Sequence, residues 1–249
     1  MTIALITGGS RGLGRNAAVS LARHGVDIIL TYRSNRAEAD AAVAEISTLG
    51  GRAAAIELDV AQSATFPAFA GAVEKQLAEW SVERFDYLVN NAGNALYAPF
   101  AETTEAQFDQ AFAVHLKGPF FLTQALLPLI ADGGRILNVS TGLTRFSVPG
   151  SSAYATMKGG IEVLTRYLAK ELGPRGIAVN VIAPGAIETD FGGGRLRSTP
   201  QIQQFVAANT ALGRTGKADD IGPAIAAMLS GDLGWMNAQR VEFSGGMFL

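Results

Sequence analysis

The chain has no cysteine, two histidines and only 17% charged residues in 249 positions. Without cysteine there is no disulfide, no thiol nucleophile and no cysteine-based zinc site. His24 and His115 lie far apart in sequence, so no multi-histidine metal site is expected. A formal net charge of −2 gives no electrostatic case for nucleic acid or a membrane surface. The one local basic run, around Arg195 and Arg197, reads as a solvated loop. Long apolar runs are missing too: PFFLTQALLPLIA is too short to span a bilayer and carries two prolines and a glutamine. MTIALITGG lacks the basic and long apolar regions of a signal peptide. A cytoplasmic protein is the expectation.

What is present is 48% hydrophobic residues, enough for a full core in one domain of this length. The apolar runs 3–7, 27–32, 53–59, 85–91, 135–140, 177–183 and 239–244 predict strands. Between them lie alanine-rich amphipathic stretches such as GRNAAVSLARHG and RAEADAAVAEISTLG, each closing on a glycine suited to a helix C-terminus. Near-continuously apolar strands separated by helices imply a parallel sheet covered on both faces. The expected fold is α/β: a single-domain Rossmann-type doubly wound parallel sheet of about seven strands over residues 1–249. Residues 186–214, with three consecutive glycines after a strand end, predict a mobile cover over a site. Trp80, Trp235 and most phenylalanines read as core. The stretch from Phe120 to Ile130 is apolar around most of its circumference, which predicts burial in the core or between subunits. Asp109, Glu162 and Glu171 are expected on polar helix faces, with no catalytic part.

Directly after the first strand comes Thr7-Gly8-Gly9-Ser10-Arg11-Gly12-Leu13-Gly14, which opens a helix. Glycines permit a tight turn and close backbone approach, and exposed amides at a helix N-terminus favour a pyrophosphate. The spacing is G-x-x-x-G-x-G rather than the common dinucleotide pattern. The second strand ends in Thr31-Tyr32-Arg33-Ser34-Asn35, with no carboxylate before Glu38 to bond a ribose 2′-hydroxyl. Arg33 and Arg11 instead offer guanidinium donors matched to a phosphate, which favours NADP(H) over NAD(H).

Tyr154 and Lys158 stand four residues apart in SSAYATMKGG, and on a helix such positions share a face. An ammonium beside a phenol favours its ionised form and lowers its pKa, making it a usable proton donor or acceptor near neutral pH.

TGGSRGLG, NNAG at 90–93, YATMK at 154–158, APG at 183–185, Glu188-Thr189-Asp190 and SGG at 244–246 occur in that order. Together they resemble the short-chain dehydrogenase/reductase family over the whole chain. The resemblance implies that Tyr154 is the acid/base at a carbonyl or alcohol oxygen, and that Lys158 supports it and holds the nicotinamide ribose. It implies that Gly8, Ser10, Arg11, Gly12, Leu13 and Gly14 wrap the pyrophosphate and adenosine side, with Arg33 and Ser34 beside them. Asp59 and Val60 would meet the adenine, Asn91, Ala92 and Gly93 its ribose, and Pro184, Gly185, Ile187 and Thr189 the carboxamide. The family's usual serine, thirteen residues before the tyrosine, is here Thr141, with Ser140 as the alternative. Its usual relay asparagine is here His115, which is either a substitute in the relay, made pH-sensitive by ordinary titration near 6.5, or a structural residue on an apolar helix.

The expected activity is therefore an NADP(H)-dependent oxidoreductase acting on a small-molecule carbonyl or alcohol, with no metal. A 3-oxoacyl thioester reductase is an alternative substrate reading, and a non-catalytic NADP(H) sensor or scaffold is the rival from another class. The resemblance also implies a homo-oligomer, a tetramer before a dimer. Residues 94–98, 142–150 and 186–206 would wall the substrate, with Arg145 and Arg195 as anchors.

Overall fold

Each apolar run becomes a strand. The computed structural model describes residues 1–249, with β1 (Thr2–Ile6), β2 (Val26–Tyr32), β3 (Ala53–Glu57), β4 (Phe85–Asn90), β5 (Ile130–Val139), β6 (Ala178–Pro184) and β7 (Arg240–Phe243). They form one seven-stranded sheet in the order β3-β2-β1-β4-β5-β6-β7, parallel throughout. Five strands have both ends within a residue of the expected ones. β3 stops two residues short, and β5 starts five residues early, across Asp132-Gly133-Gly134, with a register irregularity against β4 between Phe85 and Tyr87.

The continuous hydrophobicity of the strands has a direct cause: alternate side chains enter different cores. Ala4 and Ile6 of β1 pack with α1 (Gly12–Ala22), α2 (Arg36–Thr48) and α9 (Ala218–Ser230) on one face. Ile3 and Leu5 pack with α3 (Phe66–Glu79), α5 (Gly118–Leu126) and α6 (Ser152–Glu171) on the other. Truncating one such side chain, Leu5→Ala for example, removes contacts worth about 2–5 kcal/mol.

Three local features position the site. Arg11 precedes α1 in extended backbone and supplies no side-chain cap, so the first amides of that helix stay free for a ligand. Between α4 (Glu105–Phe112) and α5 the helix widens into a π turn over Ala113–Lys117. Pro119 has no amide hydrogen for the carbonyl of His115 four residues back, so the regular ladder is interrupted there. Third, the glycine-rich stretch after β6 folds rather than staying irregular. Gly192, Gly193 and Gly194 all take left-handed backbone, followed by α7 (Arg195–Ser198) and α8 (Pro200–Ala208).

Several core expectations fail. Trp235 is fully exposed in the loop between α9 and β7, and Phe100, Phe108, Phe112, Phe120 and Phe121 are exposed. On α5 only Leu122, Leu126 and their small neighbours are inward. Period alone cannot separate an apolar face that meets the core from one that does not. No helix is long and apolar enough to cross a membrane.

Candidate active site

In a parallel sheet all strand carboxyl ends lie on one edge, and a crevice opens where the strand order reverses, here between β1 and β4. A cleft of about 870 Å³ occupies that edge. Every residue expected from the sequence to act in catalysis or hold the coenzyme lines it except Gly14, which lies behind the loop. A β-carbon on Gly14 would fall 2.2 Å from the carbonyl oxygen of Gly8, so only glycine lets the turn close. Asn91 pins that turn by donating from Nδ2 to the carbonyls of Thr7 at 2.8 Å and Gly8 at 3.2 Å. The Thr7 hydroxyl in return accepts from the amides of Asn91 and Ala92 at 3.0 and 2.9 Å.

These residues fit a dinucleotide phosphate. The α1 amides are uncapped, Arg11 and Arg33 both line the cleft exposed, and the ion pairs of the structure involve other arginines. Ser34 sits beside Arg33, and Glu38 lies a turn into α2, where its amide donates to the capping Asn35. Asp59 accepts from the amide of Ala61 at 2.9 Å, turning the chain after β3, and Val60 is buried against the adjoining wall.

At the other end, α6 carries Tyr154 and Lys158 into the cleft one turn apart. Lys158 is buried and donates from Nζ to the carbonyl of Val139 at 2.8 Å, with Nζ 5.8 Å from the centre of the Tyr154 ring. Burial lowers the Lys158 amine to about 8. Burial, with a smaller contribution from Tyr97, raises the Tyr154 phenol above its ordinary value. This corrects the expectation of a depressed phenol: burial, not the neighbouring ammonium, sets the direction of its shift.

The two candidate hydroxyls separate. Ser140 is buried and donates to Oε1 of Glu162 at 2.7 Å. Thr141 accepts from the amide of Leu143 at 3.3 Å, and no protein acceptor takes its own hydrogen. Glu162 is accordingly no idle surface carboxylate, as its helical position suggested. It accepts also from Thr144 at 2.7 Å and Arg240 at 2.8 Å, and Arg240 reaches the carbonyl of Thr141 at 3.2 Å.

His115 lies in the π turn, buried, with its ring edge-on to Tyr154 at 5.0 Å. Its Nε2 stands 3.0 Å from Oδ1 of Asn94, an acceptor, so Nε2 carries the proton and Nδ1 is a buried lone pair with no partner. Burial first, then the Lys158 ammonium, lowers His115 to about 3. It is neutral at physiological pH, which corrects the expectation of titration near 6.5.

Comparison with known proteins agrees with this geometry. The family model described as "Enoyl-(Acyl carrier protein) reductase" matches residues 8–248. The chain belongs to the short-chain dehydrogenase/reductase family. An uncharacterized oxidoreductase of Methylorubrum extorquens is 35% identical, over 98% of this chain and 97% of its own. Among solved structures, the promiscuous reductase LugOII, which catalyses keto-reduction at C1 during lugdunomycin biosynthesis, is 37% identical with a TM-score of 0.94. It covers 100% of this chain and 98% of its own. The angucycline C-6 ketoreductase LanV, solved with bound NADP, is 31% identical with a TM-score of 0.94, over 99% of this chain and 95% of its own.

Within this short-chain dehydrogenase/reductase, Asn94, Tyr97 and Phe205 line the cleft from the stretches expected to wall the substrate, whereas sequence reasoning passed over Met247, which lines it too. Asn94 directly follows the NNAG motif, and nothing in its spacing points to His115. Arg145 was expected to anchor substrate, yet its guanidinium is committed to Glu242 and to carbonyls of the C-terminal segment. Arg195 does line the cleft, stacked over Tyr97 at 5.4 Å.

Proposed function

We propose that this protein is an NADP(H)-dependent oxidoreductase that interconverts a ketone and a secondary alcohol. The convergence of Tyr154, Lys158 and Thr141 at one end of a cleft whose other end offers unpaired Arg11 and Arg33 carries the reading. Bound NADPH would supply the hydride that reduces the carbonyl carbon. Gly8, Ser10, Gly12 and Leu13 would hold its pyrophosphate, Arg11, Arg33 and Ser34 its 2′-phosphate, Asp59 and Val60 its adenine, and Asn91–Gly93 the adjoining ribose. Pro184, Gly185, Ile187 and Thr189 would seat its carboxamide.

The residues of the chain then divide the proton work. The Tyr154 hydroxyl gives its proton to the carbonyl oxygen, and burial, which raises its pKa, keeps it protonated for that step. Thr141 donates a hydrogen bond to the same oxygen, since its proton is not committed elsewhere. Lys158, the nearest cation, stabilises the phenolate left behind. His115 stays neutral and holds Asn94, so that any relay through it runs by hydrogen bonding at Nδ1 rather than by net protonation.

Tyr97, Phe146, Phe191 and Phe205 line the substrate end. Flat aromatic walls favour a planar ketone by stacking, and the ketoreductases LugOII and LanV support that class over a flexible 3-oxoacyl thioester. The reading includes a cytoplasmic setting and one domain covered by residues 186–214. It also includes a homotetramer that hides Phe108, Phe112, Phe120 and Phe121, which a lone chain exposes.

The test is NADPH consumption over a panel of aryl ketones, aldehydes and quinones. Wild type should turn over at least one aryl ketone, and Tyr154→Phe should bind NADPH with turnover reduced by about two orders of magnitude or more. Tight NADPH binding without turnover on any compound would transfer the function to a sensor.

A further inference from the structure

Beyond β7 the chain turns back across the cleft. Ala211 and Leu212 donate their amides to the carbonyls of Gly246 and Gly245, both at 3.1 Å, and Phe248 donates to the carbonyl of Asn209 at 2.8 Å. Thr210 and Met247 form an isolated antiparallel bridge. This ties residues 244–249 to the end of α8.

The opposite side is held by the loop after β5. Arg145 donates to the carbonyls of Met247 at 2.6 Å and Phe248 at 3.1 Å. The same guanidinium grips Glu242 at 2.9 and 2.7 Å. The Phe248 ring lies 4.8 Å from Phe146 and 6.2 Å from Phe205, bridging loop and helix. Phe248 has a φ of 52°, a left-handed backbone that residues bearing a β-carbon seldom adopt. Such an outlier persists where its surroundings over-determine it, and these contacts do so. Met247 is buried and faces the cleft with Phe146 and Phe205.

The attachment continues to the proton-transfer residues. Glu242 accepts from Arg240 at 3.0 Å, and Arg240 bonds both the Thr141 carbonyl and Glu162, which sits one turn past Lys158 on α6. Polar contacts therefore run unbroken from α6 to the C-terminal segment.

We propose that Ser244–Leu249 is a strap joining α8 to the loop that carries Thr141, and that its Met247 is a specificity-determining residue setting the width of ketone admitted. The width claim rests on the ketone reductase reading of this cleft; the mechanical claim does not. The strap fixes how far α8 stands from the Thr141 loop, and the Met247 side chain fills the space between them.

Two measurements on the full chain test it. Hydrogen exchange compares wild type with Arg145→Ala and the milder Phe248→Leu. Arg145→Ala should speed exchange at Ala211, Leu212 and Phe248 by about tenfold or more, as expected for lost bonds to a charged group, with β1 and β4 amides unmoved. Phe248→Leu should give a smaller change in the same amides. Unchanged exchange, or equal acceleration in β1 and β4, would overturn the strap. Separately, Met247→Ala should raise the kcat/KM ratio of anthrone over cyclohexanone by about tenfold. An unchanged ratio, with both substrates losing equally, would overturn the specificity role. If wild type reduces neither ketone nor any other carbonyl compound, the reductase reading and the width claim fall together, while the exchange result still decides the strap.

Discussion

Replacing Lys158 by methionine should make the coenzyme-free protein more stable and inactive at once. The amine is buried, and its fall from 10.5 to about 8 means that folding disfavours its charged form. A fall of that size corresponds to about 3 kcal/mol of destabilisation at neutral pH. Methionine fills a similar volume without charge, but it orphans the Val139 carbonyl now bonded at 2.8 Å. The lost bond returns about 1–2 kcal/mol of cost. The net expectation at pH 7 is a gain of about 1–2 kcal/mol, or about 2–6 °C in Tm for a chain of this size. The pH dependence fixes the cause. Below pH 8 both folded and unfolded wild type carry the proton, and the penalty is fully present. Between about 8 and 10.5 the unfolded chain binds more protons than the folded one, so wild-type stability rises with pH. The variant's advantage should therefore shrink through that window and be gone by its upper end. Urea melts of both proteins at pH 7 and pH 10 measure it, and Tyr154, common to both, largely cancels. A variant less stable at pH 7, or an advantage that does not change with pH, would refute the desolvation argument.

Three further outcomes follow from the same geometry. Arg33→Ala should lower the NADPH-to-NADH ratio of kcat/KM by about tenfold, the scale of one charge-assisted bond to a phosphate; an unchanged ratio would remove Arg33 from phosphate recognition. His115→Asn should leave the shape of the pH–rate profile between pH 5 and 8 as in wild type, because the ring is neutral throughout, whatever it does to the rate. A profile that loses an apparent pKa near 6 would show that the ring does titrate. Gly14→Ala, whose methyl would meet the Gly8 carbonyl at 2.2 Å, should cost about 1–3 kcal/mol of stability. It should also abolish NADPH binding by calorimetry, and retained affinity would mean that the turn tolerates a wider spacing.

The strands were legible because burial on both faces writes itself as uninterrupted hydrophobicity, and the cradle because a turn that tight demands glycine at Gly14. Tyr154 and Lys158 were legible because helical periodicity fixes which side chains share a face. What spacing cannot convey is environment. The same Lys158 that a surface helix would leave charged is desolvated here, and the phenol beside it moves up rather than down. Ser140 and Thr141 are adjacent in sequence, and only the approach of Glu162 from α6 commits one of them. Arg145 lost its expected role to backbone carbonyls a hundred residues away, which carry no sequence signature. Trp235 looked like core because hydrophobicity is not burial; it sits on a loop with nothing to cover it.

The bonds between Thr7 and Asn91 span 84 residues. The floor under the glycine turn is therefore completed by a strand made long after it, and a chain lengthening on the ribosome has no fixed coenzyme seat until β4 has emerged and docked against β1. Coenzyme can then reward only chains in which β1 and β4 have already paired, which makes it a selector of that long-range pairing rather than a guide to it.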